Sequence, residues 1–222
     1  MKIFNLTTRL LAAFGISLLL VTCGSEEPNS RVENLPFYGD PSFTPQWLTP
    51  TADALESFHR ISSFELINQD GDTLRSEQLA GKIYVADFFF TSCPGICPKM
   101  TKNMALLQEA FLEDPSIVLL SHSVTPARDS IPVLREYAME KGVISQKWHL
   151  LTGDRQDIYS LGRNDYFIEE DLGVEKDVDD FLHTENFVLI DANRHIRGIY
   201  NGLNKTDVQQ LIADIHTLKK ES

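Results

Sequence analysis

The stretch "KIYVADFFFTSCPGICPKM", residues 82–100, passes from a nearly continuous β-branched and aromatic run into two cysteines four positions apart, each followed by proline. Such a run predicts a strand buried on both faces, as in a parallel sheet. Pro94 and Pro98 decide where the next element starts, because proline suits the first helical positions and breaks a helix interior. A helix is therefore predicted from Pro98, with Cys97 near its cap. Met100, Met104, Leu107 and Phe111 continue it as one apolar face to about Glu113. This order of strand, cysteine and helix puts both thiols at the carboxyl end of a central strand, where open α/β sheets place their chemistry. A thiol near a helix N-terminus feels its positive end, which favours the thiolate that attacks disulfides and binds metals.

Outward from this stretch, strands and helices alternate. "SSFELINQDGDTL" predicts a hairpin turning at Asp70–Gly71, with Phe64, Leu66 and Leu74 on its apolar side. "SIVLLSHSV" predicts a second buried strand, and residues 129–141 a helix ended by Gly142. Then come a short strand at "KWHLL", a helix over 155–163, a loop or acidic helix over 169–180 and a strand at "NFVLID". A turn at 192–194, a strand "HIRGIY" and a helix over 206–219 close the chain. Together they predict an α/β domain over 58–222, a central mixed sheet flanked by helices with an N-terminal hairpin extension.

The first 22 residues look like an export signal: Lys2 and Arg9 precede an apolar run too short to cross a bilayer. The run ends "LLVTCGSEEP", similar to a bacterial lipoprotein cleavage box, which predicts Cys23 as the lipidated first residue of an exported, membrane-anchored protein. Residues 23–57 are expected to be a tether, because the stretch up to Trp47 is rich in Pro, Ser, Asn and Glu and lacks periodicity. Net charge is −12, and losing Lys2 and Arg9 with the signal makes it −14. That balance argues against nucleic acid and for Lys/Arg-rich protein partners. With Cys23 lipidated, Cys93 and Cys97 are the only thiols left. A staple closing so short a loop stabilises little, so the pair is expected to be chemical. The spacing leaves metal binding and electron exchange both open.

Several motifs in order resemble the Sco/SenC family of copper chaperones: "FELINQDG", "FFFTSCPGICPKM", "SVTPARDS", "HLLTG" and "FLHTENFVLID". The resemblance implies a thioredoxin-like fold and a role in loading the dinuclear copper site of cytochrome c oxidase subunit II. By it Cys93, Cys97 and His183 are the copper ligands, for one Cu(I) or Cu(II) per chain, with other copper chaperones or thiol reductants as further partners. Soft thiolates with an imidazole suit that metal on chemical grounds. An alternative is a thiol–disulfide oxidoreductase: Asp87 stands six residues before Cys93, as the buried acid does in thioredoxin-type enzymes, and would relay protons. Against it stand three residues between the cysteines instead of two, and the lack of any proline after Pro132 to supply the cis-proline of such enzymes. A copper or redox sensor is a third alternative. Thr125 occupies a position where the family commonly has an acid, and Asp129 is expected to cap the helix that follows. Met100, Met104 and Phe88–Phe90 are assigned to the core. His59, His122, His149, His195 and His216 are assigned structural or exposed places, and the acidic run over 169–180 a solvated face or a docking surface for a basic partner.

Overall fold

The computed structural model describes residues 30–49, 51, 53–168 and 184–221. Strands β1 (Glu65–Ile67) and β2 (Thr73–Arg75) form the expected hairpin, and Gly71 takes the left-handed backbone (φ 93°) its turn requires. Five further strands build the main sheet: β3 (Ile83–Phe89), β4 (Ile117–Ser123), β5 (Trp148–Leu151), β6 (Asn186–Ile190) and β7 (Ile196–Asn201). Their order is β5-β4-β3-β6-β7. β3, β4 and β5 are parallel, while β6 is antiparallel to both β3 and β7, so the sheet is mixed as predicted.

All seven β3 residues are buried, and they alternate between two cores. Ile83, Val85 and Phe89 meet α1 (Cys97–Ala110), α2 (Ile131–Lys141) and α4 (Lys205–Glu221) through Met100, Met104, Leu107, Leu134, Leu211 and Ile215. Tyr84, Ala86 and Phe88 face the other way, toward the hairpin, Tyr166 and α3 (Arg155–Ser160). Cover on both faces is what makes a strand uniformly apolar. The hairpin is stitched to the end of β5 by reciprocal backbone bonds between Ile67 and Thr152, at 2.9 and 2.8 Å.

Several boundaries differ from expectation. α1 begins at Cys97 with Pro98 in its first turn, and it stops at Ala110 where Phe111 leaves helical geometry. α3 ends at Ser160 and passes into a π-helical turn over Leu161–Asp165. The largest correction concerns the tether, of which residues 35–38 pack against the domain and Ser30 bonds to Asp214, while Trp47 stays 62% exposed. Leu35 and Phe37 are 3% and 1% exposed, and Tyr38 N donates to Ile196 O on the edge of β7 at 3.0 Å. Arg197 explains the ordering: its guanidinium donates to the carbonyls of Leu35 (2.7 Å) and Pro36 (3.1 Å), pairs with Asp191 and Glu221, and lies 3.9 Å over the Phe37 ring. A buried charge this completely partnered holds its ligands in place.

Candidate metal centre

The β3–α1 connection carries both thiols. Ser92 and residues 94–96 are exposed, Cys93 is half-buried, and Cys97, in the first turn of α1, is 4% exposed. Burial alone would raise the Cys93 thiol, but the backbone N–H groups of Cys97, Gly95 and Ile96, together with the Cys97 thiol, hold its pKa below the ordinary value. Desolvation instead pushes Cys97 up to about 12, despite a backbone N–H from Phe90. The pair is asymmetric: an accessible sulfur biased toward thiolate beside a sheltered one biased toward thiol. A Cβ at Gly95 would stand 4.0 Å from Cys93 Sγ, in ordinary van der Waals contact with it.

Asp87 lies on the same face of β3 as Cys97, 2% exposed. Desolvation lifts its pKa to about 7, opposed by the Ser121 hydroxyl that donates to its carboxylate. Ser121 in turn accepts from Trp148 Nε1 at 2.8 Å. On the opposite face of β4, His122 is wholly buried and stacked on Phe88 (4.8 Å between centroids). Its Nδ1 lies 3.3 Å from the Asp87 carbonyl, and Nε2 has no partner among the described residues. Met100 and Met104 are 1% and 0% exposed, in the core as assigned.

Cys23, His183 and the acidic run over 169–180 lie outside the described residues. Among the described residues no three His, Cys, Asp or Glu side chains gather as a metal cluster, and no helix is long and apolar enough to cross a membrane. The described chain resumes at Thr184, one peptide bond after His183, at the thiol end of the sheet. This follows from register: β6 is antiparallel to β3, with Ala86 opposite Val188, so β6 starts where β3 finishes. Two hydrogen bonds tie that entrance to α1. Gly202 N donates to Glu185 O at 2.7 Å, and Asn103 Nδ2 of α1 donates to Gly202 O at 2.6 Å.

Asn103 was not singled out from the sequence, although a polar residue next to Met104 on the apolar stripe was a visible signal. Asp129 corrects the capping expectation. Ser130 occupies the cap position of α2 without a side-chain bond, and the Asp129 carboxylate turns inward instead. The reason is its neighbours, since three hydroxyls of β4 and the two loops converge on it.

The SCO1/SenC family model matches residues 52–220. The chain belongs to the SCO1/SenC family. It is similar to the crystal structure of a SCO1/SenC family lipoprotein from Bacillus anthracis (32% identical, TM-score 0.63, covering 72% of this chain and 95% of that one). It is also similar to BsSco, described as having a disulfide switch and as a member of the Sco family of cytochrome c oxidase assembly proteins (28% identical, TM-score 0.62, 73% and 94% covered). A third likeness is to copper-bound ScoI of Arabidopsis thaliana (28% identical, TM-score 0.54, 72% and 96% covered). These neighbours and the mixed five-stranded sheet make the fold thioredoxin-like.

Proposed function

We propose that this chain is an exported, lipid-anchored copper carrier. In this reading Cys93, Cys97 and His183 hold one copper ion and pass it by ligand exchange to the dinuclear copper site of cytochrome c oxidase subunit II. The observation behind it is the thiol pair at the head of α1, one sulfur biased toward thiolate by backbone amides, at the end of the sheet where β6 enters. Two soft thiolates select Cu(I), and an imidazole completes a trigonal set or contributes to a Cu(II) site. Three relatives support the reading: the Arabidopsis protein binds copper, BsSco belongs to an oxidase-assembly family, and the Bacillus anthracis protein is a lipoprotein. The anchor in this chain would be Cys23. Copper titration of the reduced protein tests the ligand set: wild type should bind one equivalent with a thiolate-to-Cu(II) absorption band. His183→Ala should weaken binding by at least about tenfold, roughly the loss of one ligand or its orientation, whereas unchanged affinity removes His183 from the site. Deleting the gene should lower oxidase activity at limiting copper and excess copper should restore it; a fully metallated oxidase in the deletion strain refutes the delivery role.

A second reading, thiol–disulfide exchange that keeps the receiving cysteines reduced, is favoured by the asymmetric pair and by Asp87. Cys93 would attack, Cys97 would resolve, and Asp87, with its pKa near 7, would relay the proton. Disulfide-reductase activity lost in Cys93→Ser and slowed in Asp87→Asn, with copper affinity unchanged in His183→Ala, would make this the main role.

A further inference from the structure

The connection between β4 and α2 holds a carboxylate that the copper and thiol readings leave unused. Asp129 is fully buried, and its hydrogen-bond partners among the described residues are three hydroxyls and one backbone N–H. Oδ1 accepts from Thr91 Oγ1 at 2.5 Å; Oδ2 accepts from Ser123 Oγ at 2.5 Å, Thr125 Oγ1 at 3.0 Å and Thr91 N at 3.3 Å. Bonds to a carboxylate in a dry site are strong, and breaking one leaves a costly unsatisfied group. Two of the four reach Thr91, two residues before Cys93, while the other two anchor the carboxylate to β4 and to the residue after Val124. Between Thr91 and α1 the chain is mostly exposed; inside it Cys93 N bonds back to Phe90 O at 3.3 Å, while α1 holds the far end at Cys97 and this carboxylate the near end at Thr91. Thr125, at the position where the family commonly has an acid, serves here as a donor to the clamp.

We propose that Asp129 is a positioning residue for the thiol pair: through Thr91 it fixes where Cys93 stands relative to Cys97, and so sets both the metal affinity and the redox poise of the pair. The proposal rests on the pair being the working site, and it holds for copper or for disulfide chemistry.

The test uses the full chain purified in detergent, with Thr91→Val, Asp129→Asn and Ser123→Ala. Two readouts need no copper. One is the alkylation rate of Cys93 by iodoacetamide. The other is the equilibrium in which glutathione disulfide takes two electrons and two protons from the dithiol, giving the Cys93–Cys97 disulfide and two reduced glutathiones. Thr91→Val removes one link without changing charge, and should move both readouts by about tenfold, the size expected for one charge-assisted hydrogen bond. It should also shift the thiolate-to-Cu(II) band. Asp129→Asn, in which the Thr91 hydroxyl can rotate to accept from the amide, should move them less. Ser123→Ala keeps both Thr91 links and should lower only the melting temperature. If Thr91→Val and Asp129→Asn change the melting temperature alone, the residue is merely structural and the proposal is overturned. Should the wild type bind no copper while Thr91→Val still alters alkylation and the glutathione equilibrium, the copper reading fails and this one stands.

Discussion

Asp87 and His122 are neighbours across β3 and β4, and their burial pushes stability in opposite directions with pH. The folded pKa of Asp87 is raised from 3.8 to about 7, so between those values the folded state keeps a proton that the unfolded chain has lost. Its cost therefore grows as pH rises through that window and is complete above about 7. Asp87→Asn should be more stable than wild type at pH 8, by on the order of 2–4 kcal/mol, and nearly equal at pH 4. Urea unfolding at the two values measures it, and equal stability at pH 8 would mean that Ser121 and Trp148 fully offset the desolvation. The folded pKa of His122 is lowered from 6.5 to about 4 by desolvation, so its cost grows as pH falls from 6.5 to 4. His122→Leu should flatten that acid limb, an effect of roughly 3 kcal/mol. At this scale the sequence marked the burial of Asp87, through its spacing from Cys93, and misled about Asp129. An aspartate just before a helix usually caps it, and only the convergence of Thr91, Ser123 and Thr125 in space reveals otherwise.

Among elements, the strands around the thiols were the most legible part of the chain. Continuous apolar runs in β3 and β4 reflect burial on both faces, and prolines marked the start of α1 to within a residue. Helix ends were less so: the backbone leaves helical geometry at Phe111, and after Ser160 it widens into a π-helical turn, neither of which the apolar spacing marks. The link between β6 and α1 was not legible at all: Gly202 and Asn103 are 99 residues apart in sequence. Gly202 allows this link, since a Cβ there would come within 2.8 Å of the Phe187 ring and 3.0 Å of Glu185 O. Gly202→Ala should destabilise the domain by about 1–3 kcal/mol through this overpacking, seen as a lower urea midpoint. Because the displaced backbone is the β6 entrance, it should also weaken copper binding more than a substitution at exposed Lys99; an unchanged titration would disconnect this link from the metal.

For the molecule as a whole, the misjudged part was the N-terminal segment. Its polar composition up to Trp47 suggested a solvated tether, but composition averages away a short apolar motif: Leu35, Pro36, Phe37 and Tyr38 are what the domain takes up. Removing residues before Leu48 should lower stability by several kcal/mol, the usual scale for deleting two large core side chains and unpairing a buried Arg. A truncation that begins at Ser30 should melt like the full chain, and comparing the two by thermal unfolding separates packing from mere length. Equal melting of both truncations would show that Arg197 is satisfied without its Leu35 and Pro36 carbonyls.

That docked segment also shortens the leash. With a lipid on Cys23, as proposed, only six residues separate the anchor from Ser30, which bonds to Asp214 at 2.6 Å. Even drawn straight, that span reaches about 25 Å. The protein would hunt for its partner by gliding in a thin layer above the lipid, where every encounter is with something embedded in that sheet and the crowd of soluble thiols and metal scavengers beyond it is seldom met.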